Sequence, residues 1–451
     1  MAKREEVFKK CMRVGKALVG IIAAAVIFGG IVHVLNYMYV NSEDSTLPRL
    51  VIHDLYENEG RIDNLYLGSS HVYCDINPMC LDSLSGQYNF NLSTPGQLPN
   101  GTYHLLKEAD RYNDLSHVYV ELYYFQYARP AAASDNAMRT WRDSDYMKLS
   151  LNKLEYMFST TNPDQYINLC LPFTRYRAEL SNWEYIRQKM KIKLQDDYIN
   201  YTYDNGSDKY TGQGFCTNSM LFVEDSGKKV QQECILGENP IEEAAEKYLR
   251  KTIEYCQKRK IPITLFVAPM YELKLIATEN YDNYINQLQE LAQEYDVAFY
   301  DFNLVKEEYL PIQKGKYFQD AGHMNLAGAD LYTPFLYEVV CGDETDNEKY
   351  FHDSYAEKLQ SAAPEVYGIY YRDAADEADG KPMKDVWVAS NRDIDMEYRI
   401  IITPEEGEQY IIQDFDANKE FTIPADESGI CTIVARMKNS PDEVQTLEIN
   451  W

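Results

Sequence analysis

Three residues of this sequence have the side-chain types of a nucleophile, a base and an acid that orients the base. Ser70 lies in LYLGSSHVYCD, residues 65–75, where a short apolar run ends in a small polar turn. Asp320 and His323 are three residues apart in YFQDAGHMNLAGADLY, residues 317–332. A histidine can accept the hydroxyl proton of a serine, and a carboxylate can hold that imidazole in the required tautomer. The alternative interpretation of the Ser70 segment is a plain turn, in which Gly and Ser relieve backbone strain.

The segments around these residues alternate between short β-type runs and helical patterns, which predicts an α/β domain with a parallel sheet. The β-type runs are residues 64–68, 88–93, 117–125, 261–269 and 297–303. The segments with helical spacing are residues 102–112, 241–260, 281–296 and 325–340. Ser70 would follow the first strand, and His323 would precede the last helix. Both are therefore expected at the carboxyl edge of the sheet, where α/β folds place their sites.

Two regions depart from this alternation. Residues 126–238 are aromatic-rich and amphipathic, which predicts an insertion that covers one edge of the sheet. Residues 366–451 contain six short β-type runs with turn residues between them, which predicts an all-β sandwich of the immunoglobulin-like kind. We therefore expect an α/β domain over residues 45–345 and a separate sandwich domain over residues 366–451.

The N-terminal segment has the composition of a membrane anchor. Residues 1–16 form a basic tail with a net charge of +4, and residues 17–40 contain no Asp, Glu, Lys or Arg. As a helix this apolar run would be about 36 Å long, enough to cross a bilayer. The basic tail before it, with Glu43 and Asp44 after it, predicts a cytoplasmic N-terminus and an extracytoplasmic location for the bulk of the chain. A cleaved signal peptide and a buried core helix are the alternatives.

Composition excludes other classes of partner. The net charge of −27 argues against binding to nucleic acid, because neutralising phosphates requires a basic surface. The nine cysteines show no C-x-x-C pair and no spacing typical of a zinc site, so no metal is expected. A Gly-rich phosphate-binding loop is also absent from the sequence, and we expect no cofactor.

The segments that contain the three candidate residues resemble the sequence blocks of the SGNH (GDSL-like) hydrolases. LGSS at 67–70 corresponds to the first block, and Ser70 takes the place of the nucleophile. DAGH at 320–323 matches the last block, D-x-x-H, which in that family supplies the Asp and His of the triad. The resemblance covers about residues 60–340 without the insertion. It implies a three-layer α/β/α fold of the flavodoxin-like kind.

The middle blocks of the family match less closely. NLSTPGQ at 91–97 is similar to the second block, which implies that backbone N–H groups of Gly96 and Ser70 form the oxyanion hole. The third block, G-x-N-D, is absent, since VELYYFQ at 120–126 contains no Asn. Loss of one oxyanion donor can lower the rate roughly a hundred- to a thousandfold, so catalysis would be slow or absent unless another group replaces it. Gln126 or a backbone N–H is the candidate replacement.

Besides Gln126, two further residues are candidates for contact with a substrate. His71 follows the candidate nucleophile directly, and Glu121 lies at the end of the third predicted strand. For His71 the competing interpretation is a place at the rim of the site or in the following helix. For Glu121 it is a solvated strand end.

Membrane-anchored proteins of the same superfamily resemble this chain more closely, namely those of teichoic-acid D-alanylation and of alginate O-acetylation. They share a single N-terminal helix, an external SGNH-like domain and degenerate middle blocks, and they act on cell-envelope polymers beside a membrane-bound O-acyltransferase. The resemblance implies an acyl esterase or O-acyltransferase that acts on cell-surface carbohydrate, with a membrane-bound O-acyltransferase as a partner. The alternative is a catalytically inactive scaffold or carbohydrate-binding surface protein, which the missing G-x-N-D block favours.

The charge asymmetry around the apolar run predicts a topology that proteolysis can test. Protease added to intact cells that express the chain should degrade all but a short N-terminal fragment, because the residues after position 41 would lie outside the cytoplasm. An immunoblot against an N-terminal tag measures the size of the protected fragment. Protection of the full chain in intact cells, with digestion after lysis, would contradict the predicted orientation.

Overall fold

The computed structural model describes residues 2–40, 46–128, 133–159, 161–222, 228–232, 234–312, 315–342, 349–374, 382–392, 395–426 and 428–451. The chain divides into two compact units. The first consists of Met1–Leu50 with Ala133–Tyr203, and the second consists of Val51–Ala132 with Asp204–Trp451.

The first 128 residues contain the N-terminal helix and the first three strands of the sheet. The helices are α1 (Ala2–Tyr39), α2 (Thr46–Glu57), α3 (Ser70–Asp75), α4 (Pro78–Ser85), α5 (Pro99–Asp110) and α6 (Tyr124–Tyr127). The strands are β1 (Asn64–Gly68), β2 (Asn89–Ser93) and β3 (His117–Glu121). Within α1, Lys10–Tyr39 has the length and the apolar composition of a membrane span or a signal sequence, and none of its most apolar stretch is buried.

Residues 133–235 form short helices and then short strands. The helices, all in the first unit, are α7 (Ala133–Ser144), α8 (Leu151–Ser159), α9 (Tyr166–Cys170), α10 (Trp183–Lys193) and α11 (Asp196–Ile199). The strands, all in the second unit, are β4 (Asp208–Gly212), β5 (Phe215–Asn218), β6 (Lys229–Gln231) and β7 (Cys234–Ile235). The predicted insertion thus contributes elements to both units.

The next segment completes the parallel sheet. Its helices are α12 (Glu243–Arg259), α13 (Glu272–Ile276), α14 (Tyr281–Tyr295) and α15 (Leu326–Cys341). Its strands are β8 (Ile263–Val267), β9 (Thr278–Glu279) and β10 (Ala298–Asp301). Strands β1, β2 and β8 are buried at every residue, which is typical of parallel strands that are covered on both faces.

The five parallel strands lie in the order β10-β8-β3-β1-β2. Counted along the chain, this is the order 2-1-3-4-5 of a doubly wound sheet, whose direction of winding reverses between β1 and β3. Gly68 pairs with Ser93, and Glu121 pairs with Phe266, so the ends of these strands form one carboxyl edge. The prediction of a parallel α/β sheet is confirmed. Ligands of such sheets bind beyond the carboxyl ends at the point of reversal, which here is the end of β1.

The C-terminal region is rich in β-structure, as predicted. Its elements are α16 (Tyr355–Ser361), β11 (Val366–Asp373), β12 (Met383–Ser390), β13 (Met396–Pro404), β14 (Tyr410–Asp416), β15 (Glu420–Pro424), β16 (Gly429–Met437) and β17 (Ser440–Asn450). The seven strands, together with β6, form two four-stranded sheets, ordered β15-β12-β11-β6 and β14-β13-β16-β17. Ile369 and Val388 of one sheet share a core with Ile400 and Ile433 of the other.

Two features of the fold differ from the sequence-based expectation. The third strand was expected over residues 117–125, but it ends at Glu121 and the aromatic residues that follow form α6. The backbone turns there because the Gln126 N–H donates to the Tyr123 carbonyl, at 2.9 Å. In addition, β6 of the predicted insertion pairs in parallel with β11 and so becomes an edge of the C-terminal sheet.

The C-terminal region packs on the α/β region through a second apolar cluster. Leu273 and Ala277 of α13 contact Tyr370 of β11 and Trp387 of β12 within this cluster. Gly368 lies at the same junction, and a Cβ atom placed on it would come 2.2 Å from the carbonyl oxygen of Lys228.

This close approach predicts a large effect of a small substitution. Gly368→Ala should destabilise the protein by about 1–3 kcal/mol, because β11 and the chain leading into β6 would have to move apart. Gly237→Ala is the matched control, since a Cβ on Gly237 has no atom within 4 Å. Urea unfolding of the full chain in detergent, monitored by tryptophan fluorescence, measures the stability of both variants. Equal midpoints for the two variants would contradict the assigned packing.

Candidate active site

Ser70 is positioned by the sharp turn from β1 into α3. Gly68 ends β1, and a Cβ atom placed on it would lie 2.7 Å from Cγ2 of Val72 and 2.8 Å from Cβ of Glu121. Only glycine therefore allows the end of β1 to lie this close to both α3 and the end of β3. Ser69 is buried, whereas Ser70 is partly exposed as the first residue of α3.

The loop before α15 brings His323 to Ser70. Nε2 of His323 lies 2.6 Å from Oγ of Ser70. Nδ1 of the same ring lies 2.9 Å from Oδ2 and 3.0 Å from Oδ1 of Asp320. The three residues selected from the sequence are therefore in one hydrogen-bonded line, in the order Ser70, His323, Asp320. This line has the geometry of a serine nucleophile with its base and its orienting acid.

Asp320 is held as a carboxylate. Partial burial acts to raise the pKa of Asp320, but hydrogen bonds from the His323 ring and from the backbone N–H groups of Gly322 and His323 lower it to about 2. The ionised carboxylate accepts the Nδ1 proton of His323, which leaves Nε2 as the acceptor for the Ser70 hydroxyl.

The His323 loop is tied to the helix that contains Ser70. The N–H of Met324 donates to Oδ1 of Asp75, at 2.9 Å, and Asp75 is fully buried on α3. Burial raises the pKa of Asp75 well above its usual range. Sequence analysis missed this residue. Its signal was an acidic side chain five positions after Ser70 in an otherwise weakly polar segment.

Asn325 joins the start of this loop to its end at α15. Its side chain caps α15 by accepting the N–H of Gly328, at 3.1 Å. Its amide group donates to the carbonyls of Lys316 and Phe318, at 2.9 and 3.2 Å. The loop that contains Asp320 and His323 is thus held at both ends by buried polar side chains.

His71 and Glu121 lie behind His323 and are buried. The ring of His71 is edge-on to the ring of His323, with 5.3 Å between centroids, and it packs on Tyr123 at 4.1 Å. Nδ1 of His71 is 3.5 Å from Oε1 of Glu121, and neither ring nitrogen has a hydrogen-bond partner among the described residues. Burial lowers the pKa of His71, although the nearby Glu121 opposes this effect. The contact of these residues with a substrate stays a prediction. In the structure His71 packs against the His323 ring, and Glu121 lies beside His71.

The remaining predicted site residues lie at the same edge of the sheet. Gly96 lies in the turn after β2 with φ of 61°, a left-handed conformation that favours glycine. This turn follows Ser93, which pairs with Gly68 just before the candidate nucleophile. Gln126 is buried in α6 beyond the end of β3. Their roles as oxyanion donor and substrate contact stay predictions.

A separate cleft of about 1260 Å³ lies between the α/β region and the C-terminal sheets. Its lining includes Tyr271, Lys306, Lys358 and Tyr367, but not Ser70, Asp320 or His323. The hydrogen-bonded line of three residues is therefore outside this cleft.

Two solved structures have a distant likeness to this chain. A crystal structure from Bacteroides fragilis, of a protein provisionally described as an acylhydrolase, aligns with 66% of this chain and 97% of its own, at 11% identity and a TM-score of 0.30. A double mutant of an endo-β-1,4-mannanase from Cellulomonas fimi aligns with 91% of this chain and 99% of its own, at 10% identity and a TM-score of 0.17. No curated protein matches the sequence. A family model that carries no description matches residues 226–344.

The buried carboxyl group of Asp75 predicts a pH-dependent stability difference. Because the folded-state pKa is raised, the folded protein binds this proton more tightly than the unfolded chain. The contribution of Asp75 to the stability of the wild type should therefore fall as pH rises above about 4, the unfolded value, towards the folded pKa. Asp75→Asn keeps an acceptor for the Met324 N–H without the ionisation. We expect this variant to be more stable than the wild type at pH 7, with the difference narrowing towards pH 3.

Urea unfolding of the full chain at a series of pH values measures this difference. Asp114→Asn is the matched control, because Asp114 is exposed and should show no such trend. A difference between Asp75→Asn and the wild type that is constant with pH would contradict the assigned environment of Asp75.

Proposed function

We propose that this chain is a membrane-anchored, extracytoplasmic acyl esterase or O-acyltransferase with an SGNH-like fold, which acts on cell-surface polysaccharide. The observation that carries the proposal is the line in which Ser70 Oγ lies 2.6 Å from His323 Nε2, whose Nδ1 lies 2.9 Å from Asp320. Ser70 is the nucleophile, His323 the base, and Asp320 the group that orients the imidazole.

The proposed reaction has two acyl-transfer steps. Ser70 Oγ attacks the carbonyl carbon of an ester while His323 takes the hydroxyl proton, and Asp320 stabilises the imidazolium that forms. His323 then gives that proton to the leaving alcohol, which leaves the acyl group on Ser70. Water captures the acyl group in an esterase, and a sugar hydroxyl captures it in a transferase. In both cases His323 takes the proton of the acceptor and returns it to Ser70 Oγ as the bond between the acyl group and Ser70 breaks.

The turn into α3 supports an oxyanion site beside Ser70. The first N–H groups of a helix have no intrahelical acceptor, and Ser70 is the first residue of α3. Gly96 is the second candidate donor, since its turn lies at the same edge of the sheet. Backbone donors of this kind stabilise the negative charge that develops on the carbonyl oxygen.

Several features support the finer parts of the proposal. The strand order 2-1-3-4-5, the serine after the first strand and the D-x-x-H loop before the last helix are those expected of an SGNH-like domain. The apolar part of α1 and the basic tail before it support an anchor with the enzyme outside the cytoplasm. The family resemblance implies a carbohydrate ester as the substrate and a membrane-bound O-acyltransferase as the partner.

The second candidate function is a catalytically inactive scaffold or carbohydrate-binding protein. The observation that favours it is at the end of β3, where Glu121 is followed by Leu122 and Tyr123 rather than by an asparagine that could donate to an oxyanion. A fluorophosphonate probe separates the two candidates, since it labels only an activated serine. Absence of labelling in the folded wild type would overturn the enzymatic proposal.

Substitutions in the three residues should show that they act as a unit. Ser70→Ala and His323→Ala should each lower kcat on p-nitrophenyl acetate about a thousandfold or more, and the double variant should be little worse than either. Asp320→Asn should cost less, because the histidine can stay in place. Ser69→Ala is the matched control, since the buried Ser69 hydroxyl has no partner among the described residues. Activity that survives Ser70→Ala but is lost in Ser69→Ala would show that the nucleophile is misassigned.

A further inference from the structure

The first unit exposes many large apolar side chains. In the described part of residues 133–203, the exposed members are Met138, Leu149, Leu151, Leu154, Phe158, Ile167, Leu180, Trp183, Leu194 and Ile199. The second unit has more than four times as many residues as the segment 133–203, but its described part exposes only the same number of such side chains. Leu151 is 86% exposed and Trp183 is 77% exposed. Single exposed apolar residues are ordinary, but this density is typical of an interaction surface.

These helices are bound to the C-terminal end of α1. The hydroxyl of Tyr39 donates to the carbonyl of Leu180, at 2.8 Å. Nζ of Lys193 donates to the carbonyl of Val40, also at 2.8 Å. Leu180 and Leu194, the residue after Lys193, are both among the exposed apolar side chains. Part of the apolar surface therefore lies directly beside the end of the anchor helix.

A cavity at the same place extends this contact to α8. It has a volume of about 490 Å³ and is lined by Asn36 and Tyr37 of α1 and by Leu149 and Leu154. The N–H of Phe173 also donates to Oδ1 of Asn36, at 3.0 Å. The segments around α8, the residues before α10 and α10 itself thus all contact the last turn of α1.

The length of the apolar run fixes the level of that turn in a membrane. Residues 17–40 would extend about 36 Å as a helix, whereas the hydrocarbon core of a bilayer is about 30 Å thick. If the run begins at the cytoplasmic face after Lys16, its last turn emerges in the headgroup region of the opposite leaflet. Tyr37 and Tyr39 suit this level, because tyrosines concentrate at membrane interfaces. Side chains that bind this turn are therefore also at headgroup level.

The charge of residues 133–203 is consistent with a surface that contacts a membrane. Residues 133–203 contain ten basic and nine acidic residues, a net charge of +1 in a chain of net charge −27. Helix α10 contains Arg187, Lys189, Lys191 and Lys193 but only one acidic residue. Helices that lie in the interface of anionic membranes typically combine basic residues with apolar ones.

We propose that the helices of residues 133–203 lie in the headgroup region of the leaflet into which α1 emerges. Their exposed apolar side chains insert at the boundary with the acyl chains, and Arg187, Lys189 and Lys191 of α10 bind anionic headgroups. This inference rests on the membrane anchoring in the proposed function. It adds a second, interfacial attachment beside the spanning helix.

The depth of Trp183 tests the inference. The full chain is reconstituted into vesicles of phosphatidylcholine and phosphatidylglycerol, with and without brominated phosphatidylcholine, which quenches tryptophans that reach the acyl chains. We expect brominated lipid to quench part of the emission and Trp183→Phe to remove most of the quenched component. Trp451→Phe is the matched control, since Trp451 packs against the core of the C-terminal sheets, and this variant should retain that component.

The controls separate failure of the inference from failure of the anchor. Release of the chain from vesicles by alkaline carbonate would refute the anchor itself. A chain that stays anchored but whose Trp183 is quenched by aqueous iodide and not by brominated lipid would overturn the inference. Shielding of Trp183 from both quenchers would also overturn it, and would assign the surface to protein contacts. In addition, Lys189→Glu with Lys191→Glu should reduce the lipid quenching in phosphatidylglycerol vesicles, and an unchanged value would refute the role of α10.

Discussion

The hydrogen bond between Ser70 and His323 is the interaction on which the rest of the site depends. It joins residues 253 positions apart in the chain, so it exists only because the sheet brings the start of α3 and the loop before α15 to one edge. The bond also requires a fixed distance between these two segments. Asp75 fixes this distance, because its buried side chain on α3 accepts a hydrogen bond from the N–H of Met324, the residue after His323. Small movements of α3 would therefore move Ser70 and His323 together.

The polar groups around this bond are arranged in order of depth. Asp320 is about half exposed and remains a carboxylate, His323 is partly exposed, and His71 with Glu121 is fully enclosed behind them. Enclosure disfavours the charged form of His71, which suits a ring that packs edge-on against the base without competing for its proton. The close approach of Gly68 to Glu121 keeps this enclosure tight, because a larger residue would separate β1 from β3.

The two units divide the proposed tasks between them. The second unit contains every residue of the candidate site. Within that site Ser70, Asp320 and His323 are reached by solvent, whereas His71 and Glu121 are buried. The first unit contains the apolar part of α1 together with helices whose exposed surface is apolar and basic. Acyl transfer to a cell-envelope polymer would need both a protected nucleophile and residence at the membrane. The proposed roles of the two units can be tested separately, because one depends on Ser70 and the other on Trp183.

The sequence by itself determined the features that depend on local pattern. The strand at residues 64–68, the helices over 241–260 and 281–296 and the apolar N-terminal run all follow from hydrophobic spacing, and Ser70, Asp320 and His323 follow from residue type and order. Tertiary structure decided what depends on contacts between distant segments. The aromatic run after Glu121 has β-type composition but turns into α6, β6 joins a sheet whose other strands begin at residue 366, and Asp75 binds a loop 249 positions away. Side-chain pattern within one segment carries no information about the partner that a backbone edge or a buried carboxyl group will find, because that partner is chosen by packing of the whole chain.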